Sequence, residues 1–266
     1  MTGPITKNLI KMRVLVACEY SGIVRNAFTA LGHEAWSCDL LPTESSGLHY
    51  KNDVRHLLDG WAPVKFTPEC DPDLVGHCRI AELKTSDCKC FRPDQDGLEY
   101  KENQYGLFAR PKNNPNWDLM IAHPPCTYLC SSGLHWNKRR PERVLLTEEA
   151  LDFVKLLMNA PIHKIALENP IGCISTRIRT PEQIIQPWQF GHPESKSTCL
   201  WLKNLPPLKH TNVLPKPSCG YWENQTPSGQ NKLSPSKNRW AVRSKTYSGI
   251  ALAMADQWGG NILNTQ

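Results

Sequence analysis

Two short apolar runs, residues 117–122 (WDLMIA) and 164–167 (KIAL), each stop at a polar loop containing proline. The first ends in His123-Pro124-Pro125-Cys126 and the second in Glu168-Asn169-Pro170. Apolar runs this short, without polar alternation, read as strands buried on both faces. Between them, residues 147–160 place Ala150, Val154, Leu157 and Met158 at helical spacing, with Thr147 at the N-cap position and Glu148 and Glu149 in the first turn. A strand, one helix and a second strand form a unit whose strands are parallel, so their carboxyl-end loops lie side by side. Cys126 and Glu168, about forty residues apart, are therefore expected to face one ligand.

The same rhythm opens the chain. Residues 12–18 (MRVLVAC) read as a buried strand, Ser21-Gly22 as a turn, and the following segment as an amphipathic helix ending at Gly32. Residues 33–38 make a second strand that ends in Asp39, residues 198–202 (TCLWL) a third candidate strand, and residues 247–258 a helix packing its apolar side back on the sheet. The expected fold class is α/β, Rossmann-like, with a mostly parallel sheet and helices on both faces. The expected core is residues 12–64 and 117–202. A polar, cysteine-rich insertion without regular periodicity spans 65–116, a small recognition segment 203–245, and the returning helix 246–262.

Composition narrows the class. With 40% apolar and 21% charged residues the chain suits a globular protein rather than a disordered one. No apolar run approaches the roughly 20 residues a membrane span needs, and no secretory signal opens the sequence, so a cytoplasmic protein is expected. The net charge of +6 fits either simple solubility or a polyanionic partner. Eleven cysteines, an odd number without an export signal, point to reduced thiols, metal ligation or catalysis rather than to disulfides.

A thiol and a carboxyl at neighbouring strand ends suit one reaction in particular. Carbon 5 of cytosine is a poor nucleophile, but a thiolate adding at carbon 6 makes the ring an enamine able to attack an activated methyl group. The addition requires a proton at ring nitrogen 3, which a carboxylic acid at the pyrimidine edge supplies. On these residues the chain resembles the cytosine-5 DNA methyltransferase family, in a compact, bacteriophage-like form. His123-Pro124-Pro125-Cys126 resembles its Pro-Cys nucleophile loop, and Glu168-Asn169-Pro170-Ile171-Gly172 its Glu-Asn-Val loop. The resemblance implies that Cys126 is the nucleophile, Glu168 its acid partner, Pro125 part of the substrate pocket and Asn169 a brace for the nucleophile loop. Cys130 and Cys173 are given no part in the chemistry.

The resemblance also implies S-adenosylmethionine as cofactor. Cys18-Glu19-Tyr20-Ser21-Gly22 stands where the family has its glycine-rich first loop, so Cys18, Glu19, Ser21 and Gly22 are candidate cofactor contacts, with Pro124 beside them. Asp39 resembles the acid that holds the ribose hydroxyls, and Asp53 the acid that accepts from the adenine amino group. Residues 190–198 (FGHPESKST) match the frame of Tyr-Gly-Val-Pro-Gln-x-Arg-x-Arg, with Lys196 and Thr198 in place of the two arginines. Lysine is a point charge and does not copy a bidentate fork, so the substrate pocket departs from the typical member.

DNA is the implied partner, and no protein partner is evident. The segment 203–245 interleaves eight lysines and arginines with Tyr221, Trp222 and Trp240, a composition suited to phosphates and stacked bases or to a solvated proline-rich loop. In the insertion, Cys70, Cys78, Cys88 and Cys90 read as zinc ligands stapling a segment without its own core, or as reduced loop thiols. Two alternatives to DNA methylation stand beside it: a pyrimidine carbon-5 enzyme acting on a free nucleotide or modified base, and a DNA-binding protein that keeps the fold without activity.

Overall fold

The computed structural model of the protein describes residues 11–64, 97–234, 236 and 239–260. They divide into two compact units, one from the described residues up to Val54 with those from Asp118 onward, and one from those between Arg55 and Trp117. In chain order the elements begin with β1 (Arg13–Ala17), α1 (Ile23–Ala30), β2 (Glu34–Asp39) and β3 (His49–Lys51). The smaller unit holds β4 (Ala62–Pro63), β5 (Leu98–Asn103) and β6 (Gly106–Pro111). There follow β7 (Leu119–Ala122), α2 (Ser131–Leu134), α3 (Glu142–Met158), β8 (Lys164–Pro170) and α4 (Ile174–Arg177). The last elements are β9 (Gln183–Ile185), β10 (Thr198–Lys203), α5 (Arg239–Ser244) and α6 (Ser248–Met254).

The larger unit is α/β, built on a seven-stranded sheet in the order β3-β2-β1-β7-β8-β10-β9. The first five strands of that order are parallel, and β10 runs antiparallel between β8 and β9. From β1 the sheet grows outward to β2 and β3 on one side and to β7 and β8 on the other. The direction of winding therefore reverses between β1 and β7, where α/β sheets open a crevice at the carboxyl ends of their strands. Every residue of β1 and β7 is buried, which is why both lack polar alternation. The core joins Val14, Val16 and Ile121 of the sheet to Phe28 of α1 and to Ile250 and Met254 of α6. The chain continues beyond α6 as a π turn over Ala255–Gly259, which adds Trp258 to the same core.

The smaller unit is a three-stranded antiparallel sheet in the order β4-β6-β5. Asn103 pairs with Gly106 across a two-residue turn, and Trp117 donates its indole N–H to the Leu57 carbonyl at 2.6 Å. The Arg110 guanidinium lies 4.4 Å and the Lys101 ammonium 5.3 Å from the ring centre of Trp61. β5 and β6 stand where no periodicity was expected, and β4 lies in residues expected to belong to the core. The unit also begins at Arg55 rather than at residue 65 and takes in Trp117, expected to open a strand of the core. β5 is half-buried to exposed throughout, so few of its positions need an apolar residue and the period of two is hidden.

One helix boundary also differs. α3 starts at Glu142, behind Pro141, and Thr147 lies inside it rather than capping it. The Thr147 hydroxyl lies within hydrogen-bond reach of the carbonyls of Arg143 and Tyr128, at 3.0 and 3.2 Å. A mid-helix threonine satisfied this way gives the same local signal as a cap. Among the described residues no helix is long and apolar enough to cross a membrane.

Candidate active site

The loops after β7 and β8 are bolted together. The Asn169 side chain, 1% exposed, donates from Nδ2 to the Pro124 carbonyl at 2.7 Å. Past the prolines, the Cys126 carbonyl accepts the amides of Leu129 and Cys130, both at 3.0 Å, which closes one tight turn. That turn is pinned to the loop after β8 by a bridge between Cys130 and Gly172. Ser131 N donates to the Ile171 carbonyl and Cys173 N to the Leu129 carbonyl. A Cβ on Gly172 would stand 1.9 Å from the Leu129 carbonyl oxygen, so only glycine permits this approach. His123 N bonds the Ala17 carbonyl at 2.9 Å, which ties the same loop to the end of β1.

Glu168 is the electrostatic centre of the site. Its side chain is 14% exposed and accepts a hydrogen bond from His123 Nδ1 at 3.1 Å. A carboxylate only accepts, so Nδ1 carries the proton. His123 Nε2 is buried without a partner among the described residues, as is Asn169 Oδ1. Burial pushes the Glu168 carboxyl up, but the His123 hydrogen bond, the Lys196 and His123 charges and the Thr198 hydroxyl pull it down further, and the balance lies below the ordinary value. Lys196 and Thr198 thus both act on Glu168. Lys196 also donates to the Arg243 carbonyl at 2.9 Å, and the Thr198 hydroxyl reaches the Lys196 carbonyl at 3.1 Å.

Cys126 does not stand alone. Interaction with Cys130, burial and the negative charge of Glu168 push its thiol up, while Lys196 opposes them. Cys130 moves the other way, down to about 5, first through interaction with Cys126 and then, against burial, through the Ser132 hydroxyl and the Gly133 amide. Its sulfur lies 3.2 Å from Ser132 Oγ. The two thiols shift in opposite directions, so the first ionisation belongs to the pair.

The candidate cofactor residues line the ends of β1 and β2. Cys18 turns the chain out of β1 with a left-handed backbone, φ 59°, and Glu19 N bonds the Cys38 carbonyl of β2 at 3.1 Å. Glu19 is 5% exposed, and its carboxylate accepts the amides of Val24 and Arg25 at 2.7 and 3.2 Å and the Ser21 hydroxyl at 3.3 Å. It holds the first amides of α1, and Ser21 is drawn into the same network. Asp39, at the end of β2, accepts the Leu41 amide at 2.9 Å. Burial outweighs its hydrogen bonds and a favourable charge from His49 and pushes its carboxyl up. Asp53 follows β3, its amide bonded to Asn52 Oδ1 at 2.8 Å. Pro124 is buried and Pro125 exposed.

The structure thus gathers Cys126, Glu168, Asn169, Lys196 and Thr198 into one site and sets Cys18, Gly22 and Asp39 along the adjoining strand ends. His123 and Cys130 belong to it and were not singled out. Polar residues flanking a Pro-Pro-Cys at one and four positions were the available signal. Cys70, Cys78, Cys88 and Cys90 lie outside the described residues, and among those described no three His, Cys, Asp or Glu residues gather as metal ligands. Of the aromatics expected to stack on bases, Trp222 is 8% exposed and lies flat on Trp188, centroids 5.7 Å apart. Trp240 is 57% exposed. In comparisons with known proteins, no family model and no curated sequence matches the chain.

Proposed function

We propose that the protein is an S-adenosylmethionine-dependent methyltransferase acting on carbon 5 of cytosine in DNA, on a Rossmann-like methyltransferase fold. The observation that carries this reading is the joining of the Cys126 and Glu168 loops by Asn169 and the Cys130–Gly172 bridge. A thiol nucleophile and an acid are thereby presented together beside the crevice where α/β sheets bind nucleotides. Asp39 supports the cofactor assignment, because a half-buried carboxyl held above its ordinary value at a strand end gains from ligand hydroxyls. Bound there, S-adenosylmethionine would supply the activated methyl group.

Cys126 adds at carbon 6, Asn169 fixes its loop, and Glu168 meets nitrogen 3 of the ring. Glu168 is held as a carboxylate before the base arrives. Docking an uncharged ring nitrogen against it removes water and raises its pKa, so proton uptake accompanies binding. Thr198 and Lys196 hold the carboxyl from the side where the family has arginines. The target base must leave the duplex to reach these groups, as the handed-out substrates of methyltransferases do.

The test is covalent trapping on DNA containing 5-fluorocytosine with the cofactor present. Fluorine does not leave as a cation, so elimination stops and the protein stays bound to the strand. Wild type is expected to form the adduct, Cys126→Ser to form none, and Glu168→Gln to form it at least about 100-fold more slowly. Running duplex DNA against dCMP in a methyl-transfer assay separates a nucleic-acid substrate from a free nucleotide. An adduct that survives Cys126→Ser, or methyl transfer to cytosine with no adduct, overturns the assignment.

A further inference from the structure

We propose that His123 is a positioning residue for the acid: by donating from Nδ1 it fixes the angle at which the Glu168 carboxyl meets the ring nitrogen of the base. The inference rests on the reading of Glu168 as the acid partner of Cys126. Parallel pairing matches Ala122 of β7 with Leu167 of β8, so the next residues, His123 and Glu168, fall side by side on one face. Neither backbone is free to drift. The His123 amide bonds the Ala17 carbonyl of β1 at 2.9 Å, and Glu168 is held in register opposite Leu200 of β10. The imidazole joins these two fixed strand ends, with 3.1 Å between Nδ1 and Oε2 of Glu168.

Among the described residues the imidazole serves Glu168 alone. Its side chain is 8% exposed, and the far ring nitrogen, Nε2, is buried without a partner there. The other polar groups near the carboxyl are shared, since Lys196 Nζ donates to the Arg243 carbonyl and the Thr198 hydroxyl reaches the Lys196 carbonyl. A buried ring nitrogen left unpaired costs stability that an apolar side chain would not. Packing therefore gives no reason for a histidine at this position, and the carboxylate does. A strand fixes the backbone of a glutamate but leaves its side-chain torsions a choice of rotamers, and the last of them is broad. A hydrogen bond to an ionised acceptor is the stronger kind, and one such bond at Oε2 narrows that choice before the base arrives, which is where orientation is most effective. Asn169 fixes the backbone of the nucleophile loop, and His123 fixes the side chain of the acid.

Two measurements on the full chain decide it. The first is the rate of adduct formation on 5-fluorocytosine DNA, with Glu168 intact and in the Glu168→Gln background. His123→Phe keeps a ring but no donor, and with Glu168 intact it is expected to slow the reaction about 10- to 100-fold. His123→Asn puts an amide N–H close to where Nδ1–H stood and is expected to stay within about threefold of wild type. In Glu168→Gln, where there is no acid left to orient, His123→Phe is expected to cost less than about twofold more. A loss of the same factor in both backgrounds, or an asparagine variant as slow as the phenylalanine one, shows a merely structural ring and overturns the inference. The second measurement needs no substrate. Two-bond proton–nitrogen correlations in the 15N-histidine-labelled protein at about pH 8 read which ring nitrogen carries the proton, with the His123 signal identified by its loss in His123→Asn. The proton is expected on Nδ1 in wild type and on Nε2 in Glu168→Ala. A bare Nδ1 in wild type, or a proton that stays on Nδ1 without Glu168, also overturns it. Should wild type form no adduct with any cytosine DNA, the DNA methyltransferase reading fails, and the position of the ring proton still decides whether His123 holds the carboxyl.

Discussion

Glu168 and Asp39 are both partly buried carboxyls at strand ends, and their surroundings drive them in opposite directions. Glu168 is surrounded by donors and a cation and stays ionised, whereas Asp39 is pushed up by burial that its partners do not offset. A carboxyl raised in the folded state costs stability when ionised. Stability therefore rises as pH falls from its folded value toward the ordinary 3.8, and the cost is present in full at neutral pH. Asp39→Asn removes that charge, so it is expected to raise the unfolding midpoint at pH 7 by about 1–2 °C while weakening S-adenosylmethionine binding about tenfold or more. Calorimetry of binding and of unfolding on the same variant checks both, and a less stable variant with unchanged affinity would remove Asp39 from the site. The candidate acids and the candidate nucleophile were legible as residue types at strand ends. The capping role of Glu19 was not, because a carboxylate following a strand can turn toward a ligand or toward the first amides of the next helix, and here it meets the amides of Val24 and Arg25.

At the scale of elements, the strands legible in the sequence were those buried on both faces, since only there must every position be apolar. β3 and β9 form the two edges of the sheet with three residues each, too short for any period to show. β8 runs three residues past the apolar run that announced it, through Glu168 to Pro170, and is held in register by β10, with Leu200 opposite Glu168. The functional loop is thus still strand, which fixes Glu168 more firmly than a free loop would. The pairing of the two loops depends on Gly172, whose missing side chain lets the Leu129 carbonyl and the Cys130 backbone come in. Gly172→Ala is expected to push the loops apart, to lower stability by about 2 kcal/mol and to slow adduct formation about 100-fold. Unfolding and trapping rates measured together check this, and an alanine variant that traps DNA at the wild-type rate would show that the bridge is not what aligns Cys126 with Glu168.

At the scale of the whole molecule, the excess positive charge gains meaning from where some of it sits. The sequence pointed to 203–245 as the DNA-contacting segment, yet Trp222 there is buried on Trp188, and a second basic cluster follows the nucleophile loop. Trp136, 39% exposed, carries Arg139 and Arg140 over its ring at 5.5 and 5.4 Å. Arg143 lies over Tyr128 at 4.7 Å. In the sequence this cluster is hidden, because the basic run 138–140 is short and lies close before the helix, where charge usually means a solvated face. On the proposed function, Arg139 and Arg140, in the segment between the nucleophile loop and α3, would meet phosphates flanking a base in the site. Each phosphate neutralised by a cation releases counterions and steepens the salt dependence of binding by about 0.9 in log–log slope. Arg139→Ala with Arg140→Ala is therefore expected to weaken binding to all sequences alike and to reduce the slope by about 2 between 50 and 200 mM salt. Their side chains are exposed, so the unfolding midpoint should hold, which separates a lost contact from a damaged fold. Fluorescence anisotropy with labelled duplexes of two unrelated sequences reads both effects. A double variant whose slope equals that of the wild type would leave the charge on this face to solubility, and the DNA contacts would then have to come from the basic residues of the 203–245 segment.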